Sequence, residues 1–466
     1  MLVSAAPLLA LAAPLLGGWA AAGAPGGPAG GAPAPAGRDT SGLIAFVNDE
    51  GQVAVVDPAT LEVTAYGAGP RQAIFPAWSS DGTKVAAVVA ALGGSWVEVV
   101  DVSRGGDPVV VLSAPDRNPI YLNWSPDDRY LAVLSSTPGE DLALDIVDVA
   151  RALAGDREAA RTALEQGQPF YWVWSPTGRS VLVHRDVLRE SALVGMSPID
   201  SFAVASPLPA PGAFQSPAIS DSGRYVAYAR HDLGGDRVVV LANPERGPAG
   251  APVAELAHEG LVAFAWRPGH DHLSVQGATT PGYFAGPVVL IEVPDGEARV
   301  LSSDVVVGSF WSPDGRWLAT LSLEEDGGGG RVADAPAGSV PGAPPGLTSA
   351  APSGGLATAY ASEAAAAPGG LAHVQARVPL LTVKFVDAEA GDVVNAGEFL
   401  LSRAFLTQYL PFFDQYSRSH SLWSPDSSAL VLPVVGPEGR VELVAVRVDG
   451  GSSEVVAGDM PAWNLR

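Results

Sequence analysis

Five residues, Trp311-Ser312-Pro313-Asp314-Gly315, return along the chain in exact or decayed form. The copies are anchored at Trp78, Trp124, Trp174, Ile219, Trp266, Trp311 and Trp423, and an eighth is cut short by the end of the sequence at Trp463. Successive anchors lie 46, 50, 45, 47, 45, 112 and 40 residues apart. A period in the forties, with an apolar strand before each turn and a second one after it, points to repeated β units that bury their faces against one another. The fold class this predicts is all-β, a β-propeller of eight four-stranded blades.

The motif reads as a packing device. In Ser-Pro-Asp-Gly, proline presets φ, aspartate accepts from nearby backbone N–H groups, and glycine tolerates the exit geometry. The tryptophan before the turn is large enough to fill the wedge between neighbouring blades. Ile219-Ser220-Asp221-Ser222-Gly223 has lost the tryptophan, and Trp266-Arg267-Pro268-Gly269-His270 the aspartate. Residues 42–67 supply three outer strands without a tryptophan-bearing one, and 460–466 supply such a strand with nothing after it. The two ends are therefore expected to pair and close the ring, leaving no free edge.

Composition limits the partners. The 466 residues carry a formal charge of −23, and every acidic residue lies after position 38. Such a surface repels nucleic acid and anionic lipid. There is no cysteine, which excludes disulfides, Cys-ligated zinc, iron–sulfur clusters and a lipid-anchoring cysteine. Residues 1–22 read as a signal peptide, with an apolar run from Ala6 to Leu16 and small residues at Ala20-Ala21-Ala22, although a basic n-region is missing. Residues 23–41, nearly all Gly, Ala and Pro, read as a linker. The expected location is outside the cytoplasm (periplasm, cell surface or extracellular), without stable membrane insertion after cleavage, as a monomer.

Three stretches break the repeat. Residues 325–378 read as a disordered insertion projecting between two strands. In Leu400 to Tyr416, the side chains of Phe405, Tyr409, Phe412, Phe413 and Tyr416 recur at helical spacing and form one apolar face, which either packs onto the propeller's rim or docks a partner. Val149 to Leu164 suggests a short helix before its blade's last strand.

The copies Trp124-Ser125-Pro126-Asp127, Trp311-Ser312-Pro313-Asp314 and Trp423-Ser424-Pro425-Asp426, with Trp174-Ser175-Pro176-Thr177-Gly178, resemble the WD40-like (PD40) repeat. That repeat is shared by the TolB C-terminal domain, the tricorn core and the propellers of dipeptidyl peptidase IV-like enzymes. The resemblance covers 42–466 and implies a TolB-like propeller. It implies no single function, because those relatives are a scaffold, a protease and peptidase accessory domains. The sequence departs from TolB in lacking its N-terminal α/β domain and in having eight repeats rather than six, so a Tol–Pal role is not implied.

Chemistry-bearing patterns are sparse. No Gly-x-Ser-x-Gly elbow, Walker motif, dinucleotide fingerprint, EF-hand loop or correctly spaced Asp box occurs. His270-Asp271-His272 presents either a pair of metal-ligand imidazoles or a surface turn, with no third ligand in view. His184, Arg185 and Asp186, with His231 and Asp232, end equivalent strands and face either the channel or solvent. No metal site, catalytic residue or cofactor is predicted. Loops entering the innermost strands carry Arg71 and Phe75, Arg117 and Tyr121, Phe170 and Tyr171, Gln215, and His420. An aromatic, arginine-bearing rim suits protein or peptide recognition, or else continues the packing between blades. The expectation is an exported non-catalytic scaffold or binding module of the bacterial cell envelope. The alternative is a hydrolase or lyase with a polar or metal site in the channel.

Overall fold

The computed structural model describes residues 38–466 except 139–140, 168–170, 186–191, 197–215, 233–234, 244–249, 279–283, 324–331 and 334–377. The sequence expectations for 1–37, and for most of 325–378, lie outside these residues. The repeat becomes a series of antiparallel meanders, each opening on the strand that carries its anchor residue. Gln72–Trp78 pairs outward with Lys84–Ala91, Gly94–Asp101 and Val109–Leu112. Asn118–Trp124 begins the next sheet of four, and Ala218–Ile219 another. Three strands are described in the sheet that starts at Tyr171–Trp174. Val, Ala and Leu fill second strands such as Lys84–Ala91 and Tyr130–Ser136, which are buried on both faces through most of their length.

Two arrangements differ from a simple count of blades. The 14-residue strand Ala298–Trp311 is the outer strand of the Trp266 sheet in its first half and the inner strand of the Trp311 sheet in its second, so the two run on as one seven-stranded sheet. The Trp423 sheet has almost no inner strand, only a bridge from Trp423 to Leu430. At the chain ends, Asp459–Trp463 pairs antiparallel with Ile44–Val47, with Ile44 opposite Trp463. The expected short helix over 149–164 is two pieces, Val149–Leu153 and Arg157–Ala160; the residues after them extend at once into the outer strand Arg161–Gly167.

The anchor tryptophans bind as well as fill. Trp78 donates its indole N–H to the Ala462 carbonyl (3.0 Å), Trp124 to Ala77 (3.1 Å), Trp174 to Asn123 (3.4 Å) and Trp423 to Phe310 (3.1 Å). Each acceptor is the residue immediately before the anchor of the preceding sheet. Trp311 reaches the equivalent Ala265 carbonyl through the Ser274 hydroxyl. Trp266 follows the sheet anchored by Ile219, and among the described residues its indole N–H has no partner. The repeat therefore specifies a hydrogen bond between sheets, beyond the wedge filling expected from size.

Serine plays the larger part in the turn. Ser79, Ser125, Ser312 and Ser424 are buried; each donates to the aspartate two residues on (2.6–2.7 Å) and accepts the amide five residues on (2.9–3.0 Å). The fifth motif position is left-handed, with φ +70° at Gly315. A Cβ there would lie 2.4 Å from the Pro268 carbonyl oxygen of the adjacent turn. Gly315→Ala is thus expected to cost about 2 kcal/mol or more. Asp128 occupies the same position at φ +60°, and Asp128→Gly should be neutral or stabilising. Urea midpoints of the two variants check the pair; equal shifts of the same sign would contradict the assignment.

Candidate functional site: an aromatic plug among the innermost strands

The residue three before each anchor is the key to the site. These are Phe75, Tyr121, Tyr171, Ser216, Ala263, Gly308, His420 and Met460. At Phe75, Tyr121, Gly308 and Met460 the inner strand is bulged at or beside this residue, and a bulge re-aims a side chain out of the alternating pattern. Phe75 and Met460 adopt φ of +48° and +53°, a conformation costly for non-glycine residues and held only by surrounding bonds.

The segment 400–421 fills the space they face. It leaves the outer strand Val393–Phe399, is tied to the Trp423 sheet through the Ser402 N–H to Pro433 carbonyl bond (2.8 Å), and returns at Ser421. The expected helix is broken into three turns: a π turn Phe405–Tyr409, a 3₁₀ turn Leu410–Phe412 and an α turn Phe413–Tyr416. Pro411, which lacks an N–H, sits at the break. The wide first turn stacks Phe405 on Tyr409 at 4.8 Å. The α turn packs against the inner strands Tyr171–Trp174, Val262–Trp266 and Ala298–Trp311.

Phe405, Tyr409, Phe413 and Tyr416 are buried, while Phe412 is half-buried. The face turns inward onto the innermost strands, whereas the sequence suggests either the rim or a docking surface. Tyr416 lies 4.8 Å from Phe75 and 4.7 Å from Tyr121, Tyr121 lies 5.2 Å from Trp172, and Phe413 lies 5.8 Å from Phe310. Gly308 is small for the same reason: a Cβ there would meet Leu410 at 2.7 Å. Phe75, Tyr121, Tyr171 and His420 are likewise buried, so they continue the packing rather than form an open rim.

A polar chain threads the aromatics. The His420 Nε2 faces the Phe75 carbonyl (2.9 Å), which can only accept, so Nε2 carries the proton and Nδ1 accepts from the Ser419 hydroxyl (2.6 Å). The Ser419 oxygen in turn accepts from the Tyr121 hydroxyl (2.7 Å). Burial holds the His420 pKa down to about 4 against two opposing backbone hydrogen bonds. A second tie runs from the Ser402 hydroxyl to Asp459 (2.7 Å), whose pKa burial pushes up to about 6. The Phe75 N–H points at the Met460 sulfur (3.4 Å), so the two left-handed residues touch and each tie ends on or beside one of them.

The arginines are committed elsewhere. Arg117 pairs with Asp145 (2.8 Å), which is fully buried and also holds Arg161; Arg71 pairs with Glu98 (2.5 Å). Both lie seven residues before an anchor, and both acids lie at a bulge of the third strand. Asp304 and Lys384 repeat the arrangement with the charges exchanged (2.7 Å). The recurrence of a charge seven residues before these anchors, opposite a partner at the third-strand bulge, marks structural ties. Phe170, Gln215 and Asp186 lie outside the described residues. His184 is buried opposite Tyr171. His270 and His272 are neighbours (5.3 Å), but the Arg267 guanidinium lies 3.5 Å from His272 and Asp271 is taken by Arg224 and Ser222. Among the described residues no three His, Asp or Glu side chains converge as metal ligands.

Sequence reasoning missed Asp414, Gln415, Arg418, Ser419 and Asp459. Only the offset of three residues from each anchor, followed around all eight copies, would have drawn attention to their surroundings. Gln415 accepts the Trp172 amide (3.3 Å).

No family model matches this chain, and no curated protein does. Solved structures do. A eukaryotic initiation factor structure is similar at 13% identity and TM-score 0.48, covering 92% of this chain and 99% of the other. The Dos1 propeller matches at 13% and 0.44, covering 60% and 73%. TolB from Acinetobacter baumannii matches at 17% and 0.33, covering 56% of this chain and 66% of that one. Likeness at this level identifies neither family nor function.

Proposed function

We propose that this chain is an exported, non-catalytic TolB-like propeller of eight blades, closed by its terminal strands, that serves as a protein- or peptide-binding scaffold of the cell envelope. The observation that carries the reading is the plug: aromatic side chains from one inserted segment and from several inner strands fill the space where a channel site would otherwise lie. The eight-blade count is supported by the eight anchor residues, before four of which the inner strand is bulged at the same offset, and the closure by the Ile44–Trp463 pairing. Among the described residues no helix is long and apolar enough to cross a membrane.

The plug's outward side then becomes the recognition surface. Arg403 is exposed, and Gln408 and Phe412 are partly so. Combining an arginine with an aromatic suits a protein partner, and the chain's formal charge of −23 favours a basic one. Capture from native envelope extract by the full chain tests this. Arg403→Glu with Phe412→Ala is expected to weaken capture of a specific partner at least ~10-fold, since two lost contacts of about 1 kcal/mol each suffice, while Arg403→Glu alone weakens capture without lowering the melting temperature. Undiminished capture by that variant would defeat the surface. The alternative, chemistry in the channel, draws on one feature only, a buried charge pair beneath the plug.

A further inference from the structure

Two opposite charges stand one helical turn apart beneath the plug and do not meet. Asp414 is 3% exposed; among the described residues neither of its carboxylate oxygens completes a hydrogen bond, although the Ser216 and Gln415 backbone amides and the Arg418 charge lie near enough to favour its ionised form. Arg418 donates Nη1 to the Ser216 hydroxyl (3.0 Å) and the Pro217 carbonyl (2.7 Å), while its enclosed Nη2 donates to nothing. Ser216 holds both in one place, since its hydroxyl binds Arg418 and its backbone lies beside Asp414. Arg418 retains some accessible surface, so the location is not sealed off.

A carboxylate buried without a hydrogen bond costs several kcal/mol, and unsatisfied buried groups in native proteins call for an explanation. Here the explanation must satisfy both signs. A simple anion drawn to Nη2 would face Asp414, and a simple cation drawn to Asp414 would face Arg418; either meets repulsion in a medium that screens it poorly. A neutral donor–acceptor could bond to both, but a molecule with a cationic donor at one end and an anionic acceptor at the other also matches both charges. We propose that Asp414 and Arg418 form a binding site for a small zwitterion, a free amino acid whose ammonium group takes the Asp414 oxygens and whose carboxylate takes the Arg418 Nη2. Pairing is strongest where such charges are desolvated and bonded at once. The raised pKa of Asp414, caused by burial, adds a consequence: the ammonium requires the ionised carboxylate, so affinity falls as acid protonates it.

Isothermal titration of the full chain with glycine, L-alanine and L-serine, and with glycinamide and acetate as the one-charge comparisons, tests the site. At least one amino acid is expected to bind saturably, glycinamide and acetate at least ~10-fold more weakly. Asp414→Asn, which preserves shape, and Arg418→Gln should each abolish the preference for the zwitterion. The inference is overturned if no amino acid binds, if acetate or glycinamide binds as tightly, or if both folded variants bind undiminished. Because the three ligand classes are compared on the unmodified chain, the result stands even where a variant does not fold. It is also independent of partner capture by the outer face.

Discussion

Removal of Met460–Arg466 is expected to lower the melting temperature by on the order of 10 °C or to abolish cooperative unfolding. Trp463 is 6% exposed, and truncating a buried tryptophan alone costs about 3–5 kcal/mol. The strand also supplies the Ala462 carbonyl that accepts from Trp78, the Trp463 indole bond to Gly42 (2.8 Å) and the Asn464 amide bonds to Thr40 and Gly82 (2.7 and 3.0 Å). Together these exceed about 5 kcal/mol, at roughly 2 °C per kcal/mol for a chain of this size. What remains is Ile44–Val47, fully buried in the intact chain, with a bare edge that invites association. Calorimetry of the truncated and full chains decides it, and superimposable transitions would mean that the terminal pairing does not hold the two ends together.

The second large effect is a pair of opposing pH dependences that conceal each other. His420 is held at about 4 against an ordinary 6.5, so between those values the unfolded chain binds the extra proton and stability rises with pH. Asp459 is pushed to about 6 from an ordinary 3.8, so the folded chain binds the extra proton and stability falls with rising pH over nearly the same window. Each displacement corresponds to about 3 kcal/mol. Asp459→Asn should expose the histidine's slope, with the variant gaining about 3 kcal/mol relative to wild type from pH 4 to 6.5. His420→Gln should expose the opposite slope, relative to wild type, from pH 4 to 6. Denaturant unfolding at pH 4, 5 and 6.5 measures both differences; variants that track the wild type in parallel would remove the two groups from the pH response.

Much of the architecture was legible because it is local. The turn chemistry at Ser312-Pro313-Asp314-Gly315 closes within six residues, and strands such as Lys84–Ala91 and Tyr130–Ser136 follow from continuous apolar runs. The merging of two sheets along Ala298–Trp311 was not legible, since a strand that changes partners halfway looks like any other apolar stretch. Arg71 and Arg117 resembled a recognition rim because only their position before an inner strand was visible. Their commitment to Glu98 and Asp145 depends on a third-strand bulge, which hydrophobic pattern does not encode.

The candidate site divides along the same line. Phe405, Tyr409, Phe413 and Tyr416 were identifiable from helical spacing, and Phe75, Tyr121, Tyr171 and His420 from their place before the anchors. That the two sets occupy one volume was not. The Phe75 carbonyl and the His420 ring lie 345 residues apart in sequence and 2.9 Å apart in space.

By itself the sequence determined the β unit, its turn, the number of its copies and the segments that depart from it, because those rest on short-range sterics, backbone hydrogen bonds and apolar period. Only the tertiary structure decided that the aromatic segment turns inward, which arginines are neutralised, and that the Asp414 carboxylate and the Arg418 Nη2 do not pair with each other. The reason is physical: whether a side chain is buried, bonded or charged depends on what the rest of the chain brings to within a few ångströms of it.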